Sequence, residues 1–464
     1  MDSQQDQSVA NRKIILIVTM VTSFFTPFMG TAVSIALPKI SHEFSLNAMA
    51  MSWVMMSFLL ASAVFLVPFG KLSDMIGRKK MFLLGNIILT VASVGCAMAN
   101  SGGLLIIYRL IQGIGSAMIF SSSMAIITSA YPPHERGKAI GLNVTAVYIG
   151  LSASPLIGGY LTDSIGWRSI FYLNALAGVL IIWAIISRMK VEWAEAKNEK
   201  FDFAGSIIYV LSITALMYGF SKLPKDFAII LTLTGLAGFV IFVMIEKWTL
   251  FPVLNIQLFG QNKIFTFSNI AALINYSATF AVTFILSLYL QYIKGLDAHK
   301  AGLLLISQPI VMALAASVSG KLSDKYDSGL LSSIGMAIIV IGLSLLIFLD
   351  VNTSYAYLIL SLLILGLGFG IFSSPNTNAI MGSVDKKFLG VASASVATMR
   401  MSGQMISMAT ATMIIHLFIG NAKIVPGNFH LFIHSVNVSF IVFTILCVFG
   451  VFASLVRGKK VINR

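Results

Sequence analysis

Long apolar runs are the strongest constraint on what this chain can become. Ile14 to Leu37, Met81 to Ala99, Ile170 to Ser187 and Phe227 to Ile245 reach the ~20 residues that carry a helix across a bilayer. In hydrocarbon each backbone amide needs a partner within its own helix or within a closed barrel, and a barrel would show short alternating segments instead. The pattern therefore predicts an all-α integral membrane protein. Hydropathy gives fourteen spans, at 14–37, 50–70, 81–99, 103–130, 138–161, 169–188, 203–221, 227–247, 264–293, 301–320, 330–349, 355–381, 389–417 and 434–455. Composition agrees: with 10% charged residues and a mean hydropathy of +0.91, the chain has too little polar surface for a soluble globule.

The polar segment Met1 to Lys13 leads into an apolar run too long for a signal-peptide core, so the first span is expected to be retained. Cys96 and Cys447 lie in separate spans and imply neither a disulfide framework nor a thiolate cluster. With both termini cytoplasmic, the inner loops and tails carry 22 of the 31 Lys and Arg, the outer loops seven, and the spans only Arg109 and Arg400. That asymmetry is the positive-inside pattern of a multi-pass protein of the cell membrane. The net charge of +14 is thus a topology signal, and no nucleic-acid partner is expected because the basic residues are dispersed among short loops.

An internal echo divides the spans. Gly70-Lys-Leu-Ser-Asp74 recurs, letter for letter, 250 positions later as Gly320-Lys-Leu-Ser-Asp324. At about 33 residues per span and loop, the offset corresponds to about eight spans, which keeps both copies on one face. Two six-span halves joined directly would separate the copies by six, so two further spans sit between the halves. The expected organisation is a tail at 1–13, a six-helix bundle at 14–190, a linker at 191–202, two extra helices at 203–247, a second six-helix bundle at 248–456 and a basic tail at 457–464.

The first copy continues as Met-Ile-Gly77-Arg78-Lys79-Lys80, and Gly70 to Lys80 resembles the loop signature of the major facilitator superfamily between spans 2 and 3. Arg109-Leu-Ile-Gln112-Gly113-Ile-Gly115 is similar to the superfamily's fourth-span motif, and Pro155-Leu-Ile-Gly158-Gly159 to its fifth-span antiporter motif. Gly166-Trp167-Arg168, Trp53, Ser374-Pro375-Asn376 and Arg400 with Gly403-Gln404 resemble the fourteen-span drug:proton antiporter branch. The resemblance implies two six-helix bundles plus two linker helices, alternating access, a proton gradient as energy source without a cofactor, and a small amphiphilic cargo. It also implies a gating role for Gly70, Asp74, Gly77, Arg78, Lys79, Gly320 and Asp324 at the membrane edge.

Departures from the branch are as informative. Met29 stands where an acid is common in the first span, Ser154 precedes the fifth-span proline in place of glycine, and Phe58 replaces a frequent tyrosine. All seventeen Asp and Glu can be placed in tails, loops or span ends. A buried carboxylate usually meets a cationic cargo, so two span arginines without one suit a neutral or anionic amphiphile. Asp74, Asp163 and His416 are the candidates for the proton carrier.

Arg109 and Arg400 are costly inside a membrane and are read as coupling or cavity charges, the alternative being arginines satisfied by carbonyls and amides. Gly113, Gly150, Pro155, Gly158 and Gly159 read equally as close-packing positions and as a hinge. The spans lining the superfamily's cavity offer Phe25, Met29, Trp53, Met56, Tyr148 and Tyr276, with polar points at Asn143, Asn275, Gln308, Asn376 and Gln404. His430 and His434 share a helix face but lack a third ligand, so no metal is expected. No nucleophile constellation or Walker-type loop supports an enzyme or an ATP-driven pump. A monomer embedded among membrane lipids is expected. A carrier of an endogenous metabolite, peptide-like compound or lipid remains the alternative to a drug exporter.

Overall fold

The computed structural model describes residues 2–194, 196, 199–223, 226–254, 256, 259–260, 262–323, 326–384, 389–420, 422 and 424–457. Among them there is no strand, and fourteen helices are long and apolar enough to cross a membrane. They are α1 (Asp2–Phe44), α2 (Ala48–Ile76), α3 (Arg78–Ala97), α4 (Gly102–Ala130), α5 (Pro133–Ser164), α6 (Arg168–Arg188), α7 (Phe203–Ser221), α8 (Asp226–Glu246), α9 (Lys263–Ile293), α10 (Ala298–Leu322), α11 (Ser328–Leu346), α12 (Tyr355–Gly382), α13 (Leu389–Ile419) and α14 (Phe429–Leu455). Short polar residues start many of them: Asn47, Ser101, Asn262, Asp297, Asp327 and Ser354 each accept a backbone N–H of the first turn. α9 changes to a π-helical turn at Tyr289–Ile293.

The packing repeats with a step of eight helices. In the first half α1 packs on α5 and α6, α2 and α3 on α4, and α3 on α6; in the second half α9 packs on α13 and α14, α10 and α11 on α12, and α11 on α14. Each half is therefore the same six-helix bundle, as the echoed pentapeptide implies. α7 and α8 pack on each other, and α7 also lies against both α2 and α13, so the extra pair sits beside the seam between halves. An even number of crossings puts both chain ends on one side, called the termini face below.

Several helices overshoot the boundaries that hydropathy gives. α2 continues through Gly70-Lys-Leu-Ser-Asp74, so this pentapeptide is the last stretch of a helix and the turn falls at Gly77. A helix can leave hydrocarbon without ending because its amides stay paired; this one is closed by the Gly77 N–H on the Ser73 carbonyl at 3.1 Å.

Candidate functional site

At the termini face, the helix end of α2 and the start of α3 meet through Gly77, whose φ of +121° falls in a region that side chains rarely adopt. Arg78, 9% exposed, binds Asp74 through Nε and Nη2, each 2.8 Å from Oδ1, and donates to Ser129 Oγ on α4. The segment after α6 closes over this turn. Glu192 accepts the N–H groups of Lys79 and Lys80 at 2.8 and 3.2 Å, placing a negative charge on the amino end of α3. Trp193 O accepts the Arg78 N–H, Asp74 O accepts the Ala196 N–H, and Lys71 pairs with Glu199. Nothing in the linker's composition announced this clamp, because its partners lie more than 100 residues away.

In the second half, Gly320 lies in the last turn of α10, which Ser323 caps, and Ser323 accepts the Asn378 amide at 2.5 Å. Asp324 lies outside the described residues. In place of an Arg78 equivalent, Arg457 from beyond α14 is buried at 3% exposure, donating to Ser268 at 3.2 Å and to Ser454. Burial pulls its guanidinium down to about 10, and the charge of Asp327 draws it back up.

The two span arginines have different surroundings. Arg109 is wholly buried inside the first bundle, its Nε on the Val54 carbonyl at 3.1 Å, its Nη1 on Gln112 Oε1 at 2.9 Å and its plane 4.5 Å from the Phe58 ring. Gln112 and Asn174 both donate to Ser93 Oγ at 2.7 Å, completing a polar knot among α2, α3, α4 and α6. A carbonyl and an amide thus meet two of its three nitrogens, while Nη2, also buried, makes no hydrogen bond within the described protein.

Arg400 lies on the seam. Its guanidinium, half-buried on α13, is 5.0 Å from the Phe120 ring on α4, across the boundary between halves. Tyr148 on α5 and Tyr276 on α9 are its electrostatic neighbours; the Tyr148 hydroxyl bonds to Ser373 on α12 at 2.5 Å, and Tyr276 lies near the same serine. Phe369, one turn before Ser373, meets the Tyr276 ring edge to face at 5.6 Å. Five helices from both halves thus converge near mid-membrane on a cation, two phenols, a hydroxyl and two phenyl rings. Such a set can hold a planar or amphiphilic molecule by stacking and donate hydrogen bonds to its neutral or anionic acceptors.

Ser373, Phe120 and Phe369 were not singled out by sequence reasoning. Phe369, Ser373 and Asn376 recur at helical spacing on α12, the signal that could have found them. Asn143 and Asn275 are buried on α5 and α9; Asn143 Oδ1 and both amide atoms of Asn275 make no hydrogen bond within the described protein. Asn376 donates to Ser268 O at 3.2 Å, and Gln308 and Gln404 are half-buried.

Other cavity candidates go elsewhere. Trp53 packs at a tilt against Tyr218 of α7, ring centres 5.3 Å apart, with Lys222 5.3 Å from its ring, so it belongs to the contact with the extra helices. Phe25 lines a lateral groove between α1 and α6. Met29 and Met56 are buried in the core, Met56 accepting a long contact from Thr412 Oγ1 at 3.5 Å.

Toward the face opposite the termini, the halves are sealed. Ser287 donates to Ser34 O at 3.1 Å and Gln291 to Ile35 O at 3.0 Å, joining α9 to α1. Asp163 is paired with Lys39 at 2.6 Å and accepts the His299 N–H at 2.6 Å, placing a carboxylate of α5 on the amino end of α10. The fifth-span motif explains why α5 and α10 come so close. A Cβ on Gly159 would stand 2.6 Å from Ala298 O, and one on Gly302 2.1 Å from Pro155 O. Gly150 and Gly158 do the same against α1, Gly113 against α2, and Ser154 donates to Phe28 O at 2.9 Å. These glycines serve close helix approach. Among the described residues no three His, Cys, Asp or Glu side chains are placed to hold a metal, and His434 rests on the Phe418 ring at 5.0 Å.

A family model described as the Major Facilitator Superfamily matches residues 19–408 and 268–461. Similar proteins include the riboflavin transporter RibZ of Clostridioides difficile (strain 630), 28% identical over 83% of this chain and 84% of its own length. The multidrug transporter protein MdtP of Bacillus subtilis (strain 168) is 30% identical over 85% of this chain and 74% of its own. A solved structure of a bacterial homologue of the human lysosomal transporter Spinster, inward-facing and occupied, covers 96% of both chains with a TM-score of 0.68 at 16% identity, a likeness of fold.

Proposed function

Because this chain belongs to the Major Facilitator Superfamily, we propose that it exports neutral or anionic amphiphilic compounds in exchange for protons. It is a transporter, not an enzyme, and the cargo is the open matter. The observation that carries the reading is the seam cluster: Arg400, Tyr148, Tyr276 and Ser373 offer positive charge and hydroxyls, and Phe120 and Phe369 offer rings. All the described acidic side chains lie in loops or near helix ends. A permanent dication would enter such a site without a counter-charge, at a cost of several kcal/mol in a low-dielectric cavity.

Of the proton-carrier candidates, Asp163 has the geometry for coupling. Its charge joins Lys39 on α1 to the amino end of α10, so protonation weakens the seal that the seam must break to open. His416 is half-buried on α13, and Asp74 is engaged with Arg78.

The test is uptake by inside-out vesicles of matched cationic, neutral and anionic amphiphiles under an imposed proton gradient. Neutral and anionic members accumulate, and Arg400→Ala lowers apparent affinity for the anions by roughly tenfold or more, the value of one charge-assisted hydrogen bond. Preferential accumulation of the cations, or accumulation that survives collapse of the gradient, would sink the reading.

A second reading, carriage of an endogenous metabolite, is favoured by the likeness to RibZ over most of both chains. Riboflavin belongs in the same panel as a neutral aromatic member.

A further inference from the structure

The lateral groove between α1 and α6 is unused by the proposed transport cycle. It is about 400 Å³ in volume and almost wholly apolar, lined among others by Ile17, Val21, Phe25, Leu176, Leu180 and Ala184. It opens toward lipid: Ile17, Leu176 and Leu180 are 59–62% exposed. It runs from mid-membrane, at Phe25, down to Ile17 and Ala184 near the termini face.

Immediately beyond that lower end the chain carries three cations, Lys13, Arg188 and Lys190. Ile14 and Ile15 share an apolar cluster with Ala184, Ile185 and Met189, which fixes the register of the two antiparallel helices. Lys13 precedes Ile17 by four residues and Arg188 follows Ala184 by four, one helical turn each, so both lie roughly 6 Å below the groove. Lys190 follows just past the end of α6. All three are exposed, and none forms an ion pair among the described residues. Arg12 turns the other way: its carbonyl accepts the Tyr131 hydroxyl at 3.0 Å, and its charge lies near that phenol together with Glu135. Glu192, the carboxylate next in sequence, is held by the amino end of α3. A topology rule accounts for cations on this face. It does not account for a chain-wide groove ending between them.

We propose that this groove holds an acyl chain of an anionic phospholipid whose phosphate is bound by Lys13, Arg188 and Lys190. Charge selects the headgroup, since basic pockets between membrane helices hold anionic lipids. The groove selects for a chain lying along Ile17 and Ala184. Phe25 at the upper end places the lipid's tail behind Phe24 and Phe28, against which its ring packs at 5.0 and 6.0 Å, and those rings belong to the wall of the first bundle.

Native mass spectrometry of the full chain, released from micelles containing equal amounts of phosphatidylglycerol and phosphatidylcholine, tests this. One phosphatidylglycerol stays bound in preference to phosphatidylcholine. Lys13→Ala with Arg188→Ala, on the surface, lowers that preference about tenfold or more. Ala184→Phe, which fills the groove and leaves every charge in place, removes the retained lipid; Val21→Phe at the rim is the second filling variant should the first not fold. Equal retention of both lipids, or a preference untouched by the charge variants, overturns the proposal. Retention that survives both filling variants overturns the groove assignment. Displacement of the lipid by a transported amphiphile, with no lipid preference of its own, makes the groove a cargo portal and overturns the proposal equally.

Discussion

The two copies of Gly-Lys-Leu-Ser-Asp end equivalent helices on the same face, yet they are held in different ways. The first is held by neighbours in its bundle and by the linker: Arg78 of α3 reaches Asp74 and Ser129, and the segment after α6 adds Glu192, Trp193 and Glu199. On the same face of the second half, the buried cation comes from the far end of the chain as Arg457, bonded to serines of α9 and α14. The first is built of partly exposed ion pairs that can exchange partners, and the second of a buried arginine that cannot leave without stranding its charge. A moving edge and a fixed edge are the expected division of labour if one half rocks against the other.

That contrast can be broken by experiment. Arg78→Ala should lower the transport rate by about tenfold to a hundredfold, or roughly 1.4–2.7 kcal/mol in barrier, with substrate affinity nearly unchanged. Affinity and rate falling together in vesicle uptake would contradict a purely conformational role. Next in size, Gly77→Ala must both adopt φ +121° and place its Cβ 2.6 Å from the Glu192 carboxyl, so a loss of roughly 1–3 kcal/mol of stability is expected. Gly320→Ala meets only the tip of Ser374 at 2.8 Å, which can turn away, and should be nearly neutral in the same thermal unfolding series. Equal effects at the two glycines would erase the difference between the edges.

Arg457→Ala should cost about 1–2 kcal/mol of stability while leaving transport per folded molecule intact, since it removes hydrogen bonds and a packed stem from a fixed edge. A transport defect without destabilisation would make the second edge a gate too. Smallest is Glu192→Gln, which keeps a hydrogen-bond acceptor but removes the charge from the start of α3, a change of about 0.3–1 kcal/mol that high salt should shrink. An undiminished effect at high salt would assign the contact to shape instead.

The fold was legible because a bilayer admits few solutions: apolar length gives the spans, and the eight-span spacing of the echo gives two bundles with a pair between them. The end of α2 was not legible, because hydropathy registers where hydrocarbon stops and a helix need not stop there. Arg109 and Arg400 look alike in sequence, each one charge in an apolar run. What separates them is whether Val54, Gln112 and Phe58 or the other half of the molecule stands opposite, a tertiary fact. Tyr148 and Tyr276 could be picked as adaptable aromatics, whereas Ser373, which bonds Tyr148 and lies near Tyr276, is one of many serines and has no local mark. Trp53 and Phe25 were drawn toward a central cavity by their type; their helix faces turn them to α7 and to the α6 side.

The position of α7 has a consequence for how an oily molecule reaches the seam. Two bundles that rock apart open two slits to the bilayer, one between α2 and α13 and one between α5 and α10. α7 rests on both α2 and α13, so the first slit has a shutter across it while the second has only the close glycine contacts of its own walls. Traffic sideways from the membrane is then one-handed: a compound dissolved in lipid meets a covered flank on one side and an unshuttered seam on the other.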